Sequence, residues 1–154
     1  MNRQVLYLED IQVGQQFVSQ TYEVTEAEVI TFAKQYDPQV FHTDPTLAKK
    51  TFFDGLAASG WMTAAITSRL FIDAMPFEEG MVGVDVSMQW PKPTRPGEIL
   101  TAVCTITKVT PSRSKPHQGF IEMEVITSNQ HDQPLQKASI TFISFTKGTK
   151  FPMA

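Results

Sequence analysis

Leu56-Ala57-Ala58-Ser59-Gly60-Trp61-Met62-Thr63-Ala64-Ala65-Ile66-Thr67-Ser68-Arg69-Leu70-Phe71-Ile72-Asp73-Ala74-Met75 is the longest apolar run of the chain, with no charge between Asp54 and Arg69. The small residues Ala57, Ala58, Gly60, Ala64 and Ala65 let neighbouring backbone approach closely. Ser59, Thr63, Thr67, Ser68, Arg69 and Asp73 load the run with more polar groups than a bilayer span carries without cost. It therefore reads as one long helix, buried on most faces and wrapped by a sheet, that ends at Pro76.

Downstream the hydrophobic period changes from 3.6 to 2. Val82, Val84, Val86, Met88 and Trp90 alternate with Gly83, Asp85, Ser87 and Gln89, which predicts a half-buried strand. Pro91, Pro93, Pro96 and Gly97 mark a turn. A second strand is expected over Ile99 to Val109, with Leu100, Ala102, Cys104 and Ile106 on one face. A third covers Phe120 to Ser128, with Ile121, Met123 and Val125 inward. The fourth runs from Leu135 to Thr146, with Ala138, Ile140 and Phe142 inward. These four strands are expected to be joined by hairpin-like turns.

Upstream, Val18, Tyr22 and Val24 suit a short strand from Gln16 to Val24. Thr25-Glu26-Ala27-Glu28 is a capping box, followed by Val29, Phe32, Ala33 and Tyr36 at helical spacing. Pro38 restricts Asp37 to extended geometry and ends that helix near Tyr36. Residues Asp37 to Thr43 read as a loop, and Pro45 opens a short helix to about Lys50. A helical first half followed by a strand-rich second half indicates an α+β fold with an antiparallel sheet.

The chain has 154 residues, 42% of them hydrophobic and 19% charged, and a formal net charge of −3. That length fits one domain, expected over residues 1–154. The composition is too apolar for a disordered chain. The mild acidity argues against a nucleic-acid surface, and a single cysteine, Cys104, excludes an internal disulfide framework or a cysteine-based zinc site. The first ten residues have no apolar core and turn acidic at Glu9 and Asp10, unlike a secretory signal. A cytoplasmic location, with no membrane partner, is the expectation.

Tyr36-Asp37-Pro38-Gln39-Val40-Phe41-His42-Thr43-Asp44 is the densest cluster of reactive groups. An aspartate and a histidine five residues apart in a constrained loop can do general acid–base work on one water. The same spacing also suits an aspartate that caps a turn beside an unrelated histidine. Asp54-Gly55-Leu56-Ala57-Ala58-Ser59-Gly60-Trp61 opens the long helix, whose free N–H groups and partial positive charge suit an oxyanion. Close helix–sheet packing would equally require the glycines. His117 and His131 lie in polar turns, and Cys104 in an apolar strand. Lys108, Arg113 and Lys115 border a loop that could meet anionic phosphates or form a solvated face.

Thr25 to Leu70 resembles the MaoC-like dehydratases, which include the (R)-specific enoyl-CoA hydratases. Asp37, His42 and Asp44 keep the register of that family's catalytic loop. Phe53 to Gly60 is similar to its entry into the central helix, and Pro93-Thr94-Arg95-Pro96-Gly97-Glu98 to its turn between the following strands. The resemblance implies a single hotdog domain, an antiparallel sheet wrapped around a long central helix. It implies hydration or dehydration of an enoyl thioester, with Asp37 and His42 activating water and the Gly60 N–H as oxyanion hole. Ser68 falls where some members carry an active-site serine. Phe41 and Phe53 flank the site as candidates for an acyl tunnel.

The chain departs from the family pattern in three places. Gln39 stands for the usual Asn, Val40 for the Pro that follows it, and Ser59 for the His that often precedes the glycine. Gln39 could bind substrate or orient the loop, and Trp61 could reshape the acyl pocket. The resemblance further implies a homodimer, no metal, and no cofactor beyond the coenzyme A of an acyl-CoA substrate. Two other readings stay open: a thioesterase on the same fold, and a non-catalytic module that binds acyl thioesters.

Overall fold

The computed structural model describes residues 4–152. The first three residues of the acidic N-terminal stretch, and the last two of the expected 1–154 domain, lie outside the described residues. A 3-10 turn, Leu8–Asp10, leads into β1 (Gln16–Val18) and β2 (Tyr22–Glu23). Then come α1 (Glu26–Tyr36), α2 (Val40–Thr43), α3 (Pro45–Ala48) and α4 (Gly60–Ala74). Four long strands follow: β3 (Val82–Gln89), β4 (Ile99–Pro111), β5 (Gln118–Ser128) and β6 (Pro134–Phe145).

The capping box forms as its spacing predicts. Glu28 N donates to Thr25 Oγ1, and Thr25 N donates to the Glu28 carboxylate. Tyr22 OH adds a 2.5 Å bond to the other Glu28 oxygen, tying β2 to the first turn of α1. β1 and β2 are two separate strands rather than one. Both pair with β4, but Ser19 N turns to Ala102 O and Ser19 Oγ accepts Ala102 N between them.

The strands of the sheet pair antiparallel throughout, in the order β1-β4-β5-β6-β3, with β2 also on β4. β4–β5 and β5–β6 are the expected hairpins. β3 and β4 are not a hairpin: β3 pairs with β6 at the sheet edge, so the proline-rich turn crosses the sheet instead of folding back along it. The expected inward faces of β4, β5 and β6 are buried, from Leu100 through Cys104 and Met123 to Phe142. Burial pushes the Cys104 thiol up to about 12, leaving it protonated and inert.

Three further expectations need correction. α4 begins at Gly60, not at Leu56. Residues 56–58 lie outside the helix because backbone amides there bond elsewhere: Ala57 N donates to Phe41 O at 3.0 Å and Ala58 N to Thr94 O at 2.8 Å. Nor is α4 buried on most faces: Met62, Thr63, Ile66, Thr67 and Leu70 are buried, while Trp61 and Ile72 are exposed. β3, in turn, is not half-buried. Val82, Val84 and Val86 are 49%, 53% and 50% exposed. A bulge between Gly83 and Asp85 breaks the alternation that would have put them on one face. α4 packs chiefly on β4, β1 and β6, and so leaves β3 uncovered.

Two hydroxyl pairs pin α4 to its surroundings inside the core. Thr67 and Thr127 meet at 2.7 Å, and Thr63 and Thr94 at 2.8 Å, all four buried. Thr67→Val strands the Thr127 hydroxyl without a partner and is expected to cost about 1–3 kcal/mol. Adding Thr127→Val should recover most of that loss. Urea denaturation of both variants measures this, and a double variant no more stable than the single one would contradict it.

Candidate active site

Asp37 follows α1 as its C-cap, with its amide donating to Ala33 O at 2.8 Å. Pro38 prevents the helix from continuing, and the chain turns through Gln39 into α2, which carries His42. The region expected to be loop thus contains one helical turn, closed by His42 N donating to Gln39 O and Asp44 N to Val40 O. Asp44 then caps α3 by accepting Thr46 N and Leu47 N at 2.9 Å each.

His42 is buried, and Asp37 Oδ2 lies 3.4 Å from its Nε2. On the far side of the ring, Nδ1 is 2.6 Å from Ala57 O. A carbonyl can only accept, so Nδ1 carries the hydrogen, and in the neutral ring Nε2 is the acceptor. Nε2 and the Asp37 carboxylate are therefore two acceptors facing one another. A group that donates to both, such as a water, satisfies them. Phe41 and Phe53 pack on the imidazole, with ring centroids 4.6 and 6.0 Å from it.

Two side chains hold the carboxylate. Ser59 Oγ donates to Oδ2 at 2.6 Å and Gln39 Nε2 donates to Oδ1 at 2.7 Å. Partial burial pushes the Asp37 carboxyl up, but the bonds from Ser59 and Gln39 outweigh it, with a smaller contribution from His42 when the ring is protonated, and hold the group below the usual aspartate value. Asp37 is thus an anion at neutral pH.

Ser59 is also the N-cap of α4: its Oγ accepts Trp61 N at 3.2 Å, and its carbonyl accepts Met62 N and Thr63 N. Fully buried, it faces Asp37 rather than an open pocket. Gly60 contributes the first amide of α4, which has no carbonyl to bond within its own helix. A Cβ on residue 60 would lie 2.8 Å from the Trp90 ring. Trp90 is anchored by its Nε1 donating to Gln136 Oε1, so it leaves no room for a side chain at this position.

The structure brings Asp37, His42, Gln39, Phe41, Phe53 and Ser59 together by these contacts. Trp61 turns outward, 60% exposed, and packs edge-on against Trp90. Ser68 lies two helical turns beyond Gly60, about 12 Å along the axis, and is not joined to the pair. His117 and His131 are exposed and remote in the chain from these contacts. Among the described residues no cluster of three or more His, Cys, Asp or Glu could hold a metal ion.

Two features escape a reading of the sequence. A groove of about 790 Å³ runs between α4 and α1, lined by Met62, Ile66, Leu70, Phe32 and Tyr36 with Glu28, Arg69 and Asp73 among its polar groups; Phe41 and Phe53, expected to line an acyl tunnel, pack on His42 instead and do not border it. Its signal lies in the spacing of those two helical stripes. Arg95, legible only as part of a turn, reaches the carbonyls of Phe53, Gly55 and Leu56. No local pattern announces bonds across forty residues.

Residues 10–129 match the model of the MaoC-like domain. The crystal structure of a MaoC-like dehydratase from Rhodospirillum rubrum superposes with a TM-score of 0.90 at 39% identity, covering 94% of this chain and 99% of that one. The (R)-specific enoyl-CoA hydratase of Rhodospirillum rubrum is 29% identical over 108 residues, 70% of this chain and 74% of that protein. The uncharacterized protein YdeM of Bacillus subtilis (strain 168) is 30% identical over 132 residues, 81% of this chain and 89% of that protein. The fold is the hotdog.

Ser59→Ala removes one donor to Asp37 and the cap of α4. The Asp37 pKa is expected to rise, read from the carboxyl carbon in a ¹³C NMR titration, and stability to fall by about 1 kcal/mol. An unchanged titration would show that Ser59 does not hold the carboxylate.

Proposed function

The chain belongs to the MaoC-like dehydratase family, and on that footing we propose that it is an (R)-specific hydratase or dehydratase of enoyl thioesters, with acyl-CoA as substrate. One observation carries the reading: the Asp37 carboxylate and the acceptor nitrogen of His42 converge at 3.4 Å beside the first amide of α4.

Hydration of an α,β-unsaturated thioester delivers a water oxygen to Cβ and a proton to Cα. A water seated between Asp37 and His42 donates one hydrogen to Oδ2 and one to Nε2, leaving a lone pair for Cβ. As the C–O bond forms, a water proton passes to the pair and the thioester oxygen takes up enolate charge. The Gly60 N–H and the positive end of α4 stabilise that charge. The acquired proton then moves to Cα on the same face. No electrons change hands overall, so the step calls for no redox cofactor. The groove between α4 and α1 suits the acyl chain, with Met62, Ala65 and Ile66 under it.

Gln39 and Ser59, the departures from the family pattern, both hydrogen-bond Asp37. They therefore support the acid–base pair instead of abolishing it, which favours hydration over a mere binding module. Dimerisation belongs to the same proposal. β3 leaves one edge unpaired and its valines exposed, and an edge of this kind needs cover. A second copy supplies it.

Wild-type protein is expected to consume the enoyl absorbance of crotonyl-CoA and to sediment at twice the 17.3 kDa chain mass. Asp37→Asn and His42→Ala should each lower kcat by at least about 100-fold while keeping the fold by circular dichroism. A variant that retains the wild-type rate would overturn the role of the residue it replaces.

A further inference from the structure

We propose that Arg95 is a positioning residue of this site, acting through residues 53–58 on His42 and on Gly60. The inference rests on the hydratase reading for what is positioned, and on the geometry alone for the positioning.

The segment between α3 and α4 pairs with no strand. Asp54 and Gly55 take positive φ values of 48° and 140°, so the chain reverses there without a ladder to hold it. Arg95 supplies the missing partners. Its Nη2 donates to Phe53 O at 2.5 Å, and its Nη1 donates to Gly55 O at 3.0 Å and Leu56 O at 3.1 Å. These three guanidinium bonds all go to carbonyl oxygens, and the planar fork fixes them relative to one another.

The next carbonyl in the chain is that of Ala57, which receives His42 Nδ1–H. Two residues later Ser59 holds Asp37, and Gly60 follows. A shift of the 53–56 backbone therefore moves the group that sets the His42 tautomer and the amide that meets the oxyanion.

Arg95 is itself rigidly seated. Its amide donates to Glu98 Oε2 at 2.7 Å, and Glu98 Oε1 accepts Asn129 Nδ2 at 2.9 Å. Thr94 on one side accepts Ala58 N and bonds Thr63 in α4. The turn after β3 is thus a bracket that aligns the start of α4 against the catalytic loop. Lysine would keep the charge but not the fork, which separates geometry from electrostatics.

Arg95→Met and Arg95→Lys test the proposal, with Thr67→Val as a variant that loosens the core away from this segment. In wild-type protein with ¹⁵N-labelled histidine, His42 Nδ1–H is expected as a protected, low-field proton signal. Arg95→Met should lose that protection and lower kcat by about 100-fold with little change in KM. Arg95→Lys should fall between, and Thr67→Val should keep both signal and kcat. If Arg95→Met does not fold, Arg95→Lys carries the comparison. An Arg95 variant that keeps the His42 signal, or that loses activity only as Thr67→Val does, overturns the proposal. If the wild type turns over no enoyl thioester, the functional reading fails, while the His42 signal still decides whether Arg95 positions the ring.

Discussion

Ser59 Oγ accepts the Trp61 amide and donates to Asp37, so one buried atom ties the N-terminus of α4 to the C-terminus of α1. The site depends on that tie. A carboxylate taken partly out of water is costly unless hydrogen-bonded, and Asp37 is held on one oxygen by Ser59 and on the other by Gln39. The same hydroxyl caps α4, whose first amide is the proposed oxyanion donor. The proposed acid–base pair and oxyanion donor are therefore linked by one shared contact.

The rest of the fold serves that contact. The Thr63–Thr94 pair fixes the start of α4 against the turn before β4, while Thr67–Thr127, a turn further along, ties the body of the helix to β5 away from the site. Phe41 and Phe53 shield His42 from one side, while Ala57 O sets its tautomer from another. Trp90 occupies the space that a side chain at residue 60 would need, so the glycine there answers to packing as well as to the amide. The groove along α4 reaches Tyr36, the residue before Asp37, and Met62, two residues after Gly60.

Local chemistry makes much of this legible. The capping box at Thr25, Pro38 after Asp37, and the period-2 runs of β4 to β6 each act over a few residues, and each forms where its pattern lies. Asp37 and His42 are legible as a pair because only a short turn separates them. What escapes depends on distant partners. Leu56 to Ala58 are apolar and small enough to pass for helix, but Phe41, Thr94 and Arg95 take up their backbone groups. Val82 to Val86 look inward-facing until the bulge and the edge position of β3 are known. Gln39 and Ser59 read as departures from a family pattern, and their common bond to Asp37 is visible only in three dimensions.

Hydration and its rivals send the oxygen of water to different atoms, and isotope tracing follows that oxygen most directly. Wild-type protein incubated with an enoyl-CoA in ¹⁸O-labelled water should yield product carrying the label on the Cβ hydroxyl, with no free thiol released. Label in a liberated carboxylate together with free coenzyme A would mean attack at the carbonyl carbon. Saturable binding without incorporation would mean no chemistry at all. Either result would contradict hydration by this pair.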